Sequence, residues 1–417
     1  MEAGQSGAQR LVRFQRLADS PAIYFGRGFL TESECDAFRR LSDAVGYCSL
    51  AGSMECTDFS ISKLEYLLSQ GKVGEEDVAF MKQLQACQAA LTGSEDTCTM
   101  PFVRVSEPPA KGDGDDVGLG KVTFPMHLDV YREDAYVTVL VYLSTLQPEL
   151  GGQTLFPMAV RRGWEASAAA VAGDLPELID LMIWEKDYGL RHLETAAPLK
   201  PEPRMNKLAE QLAAGAGGLA GAKGGEHEGG DPHLFWGKDG LGLAVTPRRG
   251  DAVCFFTRRT NGTIDPAAWH GVSAMSPGSP VRCLSQLWGH LPKQRSRRRS
   301  CTPETRPERF CRAHAWLRSC SVGSVRVEVI DAVGSSDAAE KDAKKNCDKD
   351  IVCEISCPNG HGPLAPFKPQ AGFPCDLCGA EAAAGAVMWG CSVVCMNAKC
   401  SAPDVCDKCR RAKRVVR

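Results

Sequence analysis

The sequence predicts an α+β chain: a strand-rich core preceded by supporting helices and followed by a small cysteine-rich module. Three observations predict it. Phe38, Leu41 and Val45 recur at helical spacing near the start, and residues 59–92 carry further patterns of that period. Tyr136 to Leu143 alternates and is β-branched, as a central strand should be. Residues 357–409 then concentrate Cys and His with few large hydrophobes between them.

The length of 417 residues allows about three domains at ~150 residues each, with ample room for a packed core. Forty-nine basic against 51 acidic side chains leave the chain nearly neutral, so no global field points to nucleic acid or a lipid surface. The N-terminus lacks the apolar core and small-residue cleavage site of a signal peptide, and no window approaches the ~18 apolar residues of a membrane span. Twenty cysteines without such a signal argue for thiols and metal rather than a disulfide framework, and for a cytoplasmic or nuclear address.

Taken in order, Ala22 to Phe25 reads as a short strand. Thr31 with Glu34 three residues on forms a capping box at the head of a helix. Leu64, Tyr66 and Leu67, then Val78, Phe80, Met81 and Leu84, mark scaffold helices. Lys111 to Asp116 is Gly- and Asp-rich but lacks the spacing of a calcium loop, so it reads as a solvated hairpin tip. Gly151-Gly152 permits a tight turn at positive φ. Leu175, Leu178, Ile179, Leu181, Met182 and Trp184 suggest an amphipathic helix within a long insertion, and Gly215 to Gly230, with eight glycines in 16 residues, reads as a mobile loop.

The chemistry concentrates at His127 and Asp129. Side chains at i and i+2 of an extended segment share a face, so an imidazole and a carboxylate can reach one metal ion. Two histidines and one carboxylate leave the opposite face of a metal open, the arrangement expected for non-haem Fe(II) oxygenases. His270 is the candidate third ligand, because it follows a turn signal and the buried-strand run Ala252-Val253-Cys254-Phe255-Phe256. His227 and His233 are the rivals, but both lie among Gly, Glu, Asp and Pro away from any strand.

The ordered motifs GFLTESEC at Gly28, the His-x-Asp, VLVYLS at Val139, GGQTLFP at Gly151 and the distal PRRGDAVCFF…WHG…VRCLSQLW together resemble the prolyl 4-hydroxylase branch of the Fe(II)/2-oxoglutarate dioxygenases. The resemblance spans most of residues 20–290, interrupted by one insertion. It implies a double-stranded β-helix, or jelly-roll, core with N-terminal supporting helices. It also implies iron held by His127, Asp129 and His270, and 2-oxoglutarate held near Arg282, Tyr142, Trp288 and Thr154, with ascorbate restoring oxidised iron. Arg282 lies twelve residues after His270, and its guanidinium fork suits a carboxylate. Relatives usually carry a Lys ten residues after the His, where this chain has Pro280.

Past residue 292 the composition shifts. Residues 293–326 hold ten Lys or Arg against two Glu, a candidate contact for nucleic acid, although a solvated connector is the plainer reading. Cys357, His361, Cys375, Cys378, Cys391, Cys395, Cys400, Cys406 and Cys409 then place nine potential ligands within 53 residues. Closed tetrahedral sites of this type hold structural Zn(II), eight ligands make two sites, and one cysteine is surplus. The string resembles cross-braced C1-like and ZZ-like modules, which implies binding to a protein partner or lipid.

The resulting expectation is an N-terminal extension at 1–19 and a dioxygenase domain at 20–292 with an insertion at 158–242. A linker at 293–350, a zinc module at 351–412 and a basic tail at 413–417 follow. The expected activity is Fe(II)- and 2-oxoglutarate-dependent hydroxylation of a prolyl residue in a protein or peptide, releasing succinate and CO2. The alternatives are the same chemistry on another side chain or a small molecule, and a non-catalytic adaptor that works through its zinc module.

Overall fold

The structure is a computed structural model of the chain. It describes residues 9–51, 54–58, 60–94, 102–106, 122–129, 135–164, 182–185, 189–192, 203–218, 225–259, 264–290 and 317–330, and from 365 onward only short strand segments.

Strands β1 (Arg10–Asp19) and β2 (Ala22–Gly26) open the chain. Helix α1 (Glu32–Val45) follows, with Thr31 Oγ1 accepting from Glu34 N at 3.2 Å and Glu34 Oε2 accepting from Thr31 N at 2.7 Å. The capping box expected from the sequence is therefore formed. Strands β3 (Cys48–Ala51) and β4 (Met54–Asp58) lead into helices α2 (Ile61–Ser69) and α3 (Glu75–Thr92).

The core strands are β5 (Phe102–Ser106), β6 (Val122–His127), β7 (Ala135–Tyr142) and β8 (Thr154–Val160). After them come a hairpin of β9 (Met182–Glu185) and β10 (Gly189–His192), helix α4 (Pro203–Ala216), and strands β11 (Glu226–His227), β12 (Leu234–Trp236) and β13 (Leu241–Val245). Strands β14 (Ala252–Phe256), β15 (His270–Ser273) and β16 (Arg282–His290) complete the core.

One ten-stranded sheet contains the run β14-β7-β16-β5, and a six-stranded sheet contains β13-β8-β15-β6. Along β5 to β8 and again along β13 to β16, successive strands therefore alternate between the two sheets, and the first, β5, pairs with the last, β16. That alternation is the jelly-roll arrangement.

Strand periodicity sorts the side chains into three layers. Leu140 and Tyr142 face the interior of the sandwich with Phe156, Leu243, Val245, Val253, Phe255 and Leu284. Their neighbours Val137, Val139 and Val141 turn the other way and pack with Phe38, Leu41, Met81 and Leu84 of the N-terminal helices. Helix α4 covers the outer face of the smaller sheet, setting Met205, Ala209, Leu212, Ala213 and Ala216 against Met126, Leu155, Phe235, Ala244 and Trp269.

Several expectations need correction. Residues read as an N-terminal extension form β1, which pairs with β2 and brings Val12, Phe14 and Leu17 into the core. Part of the expected linker is folded as well. Strands β17 (Cys320–Val322) and β18 (Val325–Ile330) make a hairpin whose second strand pairs in parallel with β1. Val325 and Val327 are buried there with Leu317; alternation over this short stretch was masked by the surrounding charge.

Within the insertion, Met182 and Trp184 lie in a strand rather than a helix, while Leu175 to Leu181 fall outside the described residues. The Gly-rich tract is not wholly a loop: its first residues close α4, and residues 225–230 include β11. Strand β12, also in the insertion, extends the smaller sheet.

Beyond residue 330 the described segments are β19 (Ala365–Lys368), β20 (Met388–Gly390), β21 (Val394–Cys395), β22 (Ala398–Lys399) and β23 (Val405–Cys406). Strand β19 pairs in parallel with β9 of the insertion. The backbones of Cys395 and Cys406 are thus placed; the other expected zinc ligands, the basic run at 293–316 and the loop at 111–116 fall outside the described residues. Among the described residues, no helix is long and apolar enough to cross a membrane.

Candidate metal centre and carboxylate clamp

His127 ends β6, and β15 runs antiparallel beside it with His270 directly opposite. Met126 and Leu128 point outward beneath α4, so His127 and Asp129 take the inward face, as their spacing requires. The same alternation sends Trp269 out to α4 and His270 in. One ligand-type atom from each of His127, Asp129 and His270 lies within 4.8 Å of the others. Among the described residues this is the group of metal-ligand type that converges, and His227 and His233 are not in it.

His127 Nε2 stands 3.6 Å from Asp129 Oδ1, and His270 Nε2 stands 3.5 Å from Asp129 Oδ2. Two ligands each about 2.1 Å from a shared ion lie roughly 3 to 3.5 Å apart, so a divalent cation fits with little movement. His270 is poised for that role. Its Nδ1 lies 3.1 Å from Ala268 O, and a carbonyl only accepts, so Nδ1 donates there and Nε2 is the ring nitrogen turned toward the cluster. Phe156 stacks on the ring at 5.7 Å and Phe255 meets it edge-on at 4.6 Å, which fixes its plane.

Asp129 is 1% exposed, and a buried carboxylate is costly unless it is hydrogen-bonded and charge-compensated. Thr138 Oγ1 and Gln286 Nε2 each donate to its Oδ2 at 2.9 Å. Neither was singled out in the sequence. The available signals were a lone threonine in the apolar run AYVTVLVY, and a glutamine two positions before Trp288 on the face that Arg282 also takes.

A second polar cluster lies further along the same strands. Arg282, 3% exposed, donates from Nε to Gly152 O at 2.8 Å and from Nη2 to Thr154 Oγ1 at 2.9 Å. Thr154 Oγ1 also lies 2.8 Å from the Tyr142 hydroxyl. Arg282, Thr154 and Tyr142, expected around one cosubstrate carboxylate, are therefore hydrogen-bonded to one another. Burial pushes the Tyr142 phenol up from its ordinary 10.0 to about 12, against the opposing pull of the Arg282 cation, so it stays a neutral hydroxyl at physiological pH.

The glycine turn positions this cluster. Gly151 and Gly152 have φ of 81° and 76°, and a Cβ on Gly151 would meet Ala274 O at 1.8 Å. Only glycine permits this backbone, which presents the Gly152 carbonyl to Arg282. Trp288 shares the inward face of β16 with Arg282 and Gln286 and is partly exposed.

No protein-family model and no curated protein sequence matches the chain. Similar solved structures include the viral collagen prolyl hydroxylase of Paramecium Bursaria Chlorella virus-1 in complex with 2OG, at 13% identity and a TM-score of 0.31, matching 65% of this chain and 97% of that one. HygX from Streptomyces hygroscopicus with nickel and 2-oxoglutarate bound is similar at 14% identity and a TM-score of 0.31, over 69% of this chain and 89% of that one. A Pseudomonas putida prolyl-4-hydroxylase is similar at 15% identity and a TM-score of 0.30, over 65% of this chain and 94% of that one.

Proposed function

We propose that the chain is an Fe(II)- and 2-oxoglutarate-dependent dioxygenase that hydroxylates a prolyl residue in a protein or peptide. The observation that carries this reading is the convergence of His127, Asp129 and His270 within 4.8 Å inside a jelly roll. Two imidazoles and one carboxylate suit a ferrous ion with positions left for other ligands. When bound, iron and 2-oxoglutarate supply the activation of O2, with succinate and CO2 as co-products.

The chain's own residues bind, orient and shield. His127 and His270 offer Nε2 lone pairs, and Asp129 supplies the compensating charge. Arg282 and the neutral hydroxyls of Tyr142 and Thr154 supply a cation and donors for the distal carboxylate of the cosubstrate. Phe156, Phe255 and Leu284 line the interior with apolar surface and limit water around the centre.

The C-terminal Cys/His block would hold Zn(II) and recruit a partner protein, and ascorbate would keep the iron reduced. A second reading, the same chemistry on another side chain or a small molecule, is favoured by one departure: Pro280 stands where prolyl 4-hydroxylases usually have Lys, and Arg282 takes over two residues later.

The test is turnover by the full chain with Fe(II), 2-oxoglutarate and a proline-rich peptide library. The expected result is succinate formation with one oxygen added at proline, abolished in Asp129→Ala. Oxidation of another residue or of a metabolite would select the second reading. Absence of succinate with every substrate pool, with His127→Ala indistinguishable from wild type in cells, would leave an adaptor.

A further inference from the structure

The two oxygens of Asp129 are not equivalent. Each oxygen faces one histidine, Oδ1 with His127 Nε2 at 3.6 Å and Oδ2 with His270 Nε2 at 3.5 Å, but it is Oδ2 that accepts hydrogen bonds from Thr138 Oγ1 and Gln286 Nε2, both at 2.9 Å. A carboxylate oxygen offers about two lone-pair sites, so two donors occupy those of Oδ2. We propose that Thr138 and Gln286 are positioning residues that commit Asp129 to hold the metal through Oδ1 alone. This rests on the metal site proposed above.

The fold makes the two donors a matched pair. Thr138 lies on β7 opposite Trp288 of β16, and Gln286 lies opposite Leu140, so the two are diagonal neighbours on the inward face of the larger sheet. Asp129 follows β6 of the other sheet, and the two hydrogen bonds reach it across the sandwich. Thr138 is 0% exposed and Gln286 2%, so no solvent competes for these bonds. Hydrogen bonds to an ionised acceptor in such a setting are strong and directional.

The consequence for the site is one of coordination number. A carboxylate that chelates through both oxygens fills two positions on a metal, while one held through a single oxygen fills one. Two histidines and a one-oxygen aspartate leave the remaining positions to cosubstrate and O2. Thr138 and Gln286 thereby keep a position available without touching any reacting atom.

The test measures metal binding rather than turnover. Apo full-length protein is titrated with Mn(II) by calorimetry and with Co(II) by visible absorption, whose intensity falls as coordination number rises. Thr138→Val and Gln286→Met each remove one donor with little change of volume. Each is expected to raise the metal Kd about 10- to 100-fold. Thr138→Ser, which keeps the hydroxyl, is expected to restore wild-type affinity. The double variant should give the weaker Co(II) absorption of a carboxylate that has turned to bind through both oxygens.

Melting of the metal-free proteins controls for folding, and should Thr138→Val fail to fold, Gln286→Met decides alone. Wild-type Kd values and spectra in folded Thr138→Val and Gln286→Met, beside lost binding in His127→Ala, would overturn this inference and leave the metal site standing. Equal, weak binding in wild type and His127→Ala would overturn the metal site itself.

Discussion

Arg282 is the residue whose chemistry is least replaceable by a near relative. Its guanidinium uses Nε and Nη2 at once, toward Gly152 O and Thr154 Oγ1, a planar fork that an ammonium cannot reproduce. Arg282→Lys is expected to raise the Kd for 2-oxoglutarate about tenfold or more, read by calorimetry on the Mn(II)-loaded protein, and to lower the melting temperature, because Gly152 O and Thr154 Oγ1 lose buried donors. A Kd within twofold of wild type would remove Arg282 from the clamp. Tyr142 makes a second prediction, about pH. Its phenol rises from 10.0 in the unfolded chain to about 12 when folded. A raised folded value contributes stability that is fully present below the unfolded value and lost as pH climbs through the folded one. Denaturant midpoints should therefore fall between pH 10 and 12, and Tyr142→Phe should flatten that fall, measurably in parallel urea titrations. These roles were only partly legible in the residues themselves. The His-x-Asp spacing and Arg282 announced themselves by residue type, whereas Thr138 and Gln286 are common residues that acquire a role only by facing Asp129.

At the scale of elements, the hairpin β17–β18 changes what belongs to the jelly-roll unit. It extends the larger sheet beside β1 and buries Val325 and Val327 against the helical layer. Val327→Ala removes two buried methyl groups, so a loss of about 2 kcal/mol is expected in chemical denaturation. Ending the chain at residue 316 should cost more, because it also uncovers the edge of β1. A truncated protein that melts like the full chain would show the hairpin to be an ornament. The element was hard to read because its alternation is short and interrupted by charges, Arg326 and Glu328, that sit on its outer face. Helix α4 posed the opposite difficulty. Its apolar stripe from Met205 to Ala216 is regular, but it adjoins a Gly-rich tract whose composition suggests a loop, and only the apolar back of the smaller sheet supplies a partner for it.

At the scale of the whole molecule, ligand binding and folding are linked, since the three candidate ligands come from two widely separated stretches of chain: His127 and Asp129 bracket the end of β6, and His270 starts β15. A divalent ion that binds only when these converge must stabilise the fold. Saturating Mn(II) at about 100 times its Kd is expected to add roughly 2.7 kcal/mol, raising the melting temperature of wild type but not of Asp129→Ala. An equal rise in both would place the ion elsewhere, the Cys/His block being the next site to probe. Strand β19 pairs with β9, which ties a segment from that end of the chain to the insertion.

What the sequence by itself determined were the local matters: a capping box at Thr31, an apolar strand read at Tyr136 to Leu143, the glycine turn before β8, and two ligand types spaced to share a face. Each depends on residues within a few positions of one another, where backbone geometry and side-chain chemistry act directly. Tertiary structure alone decided that β1 and β17–β18 joined the larger sheet, and that Thr138 and Gln286 closed on one oxygen of Asp129. Those outcomes depend on sheet register and on the burial of faces against one another, energies that arise only once separate segments have packed.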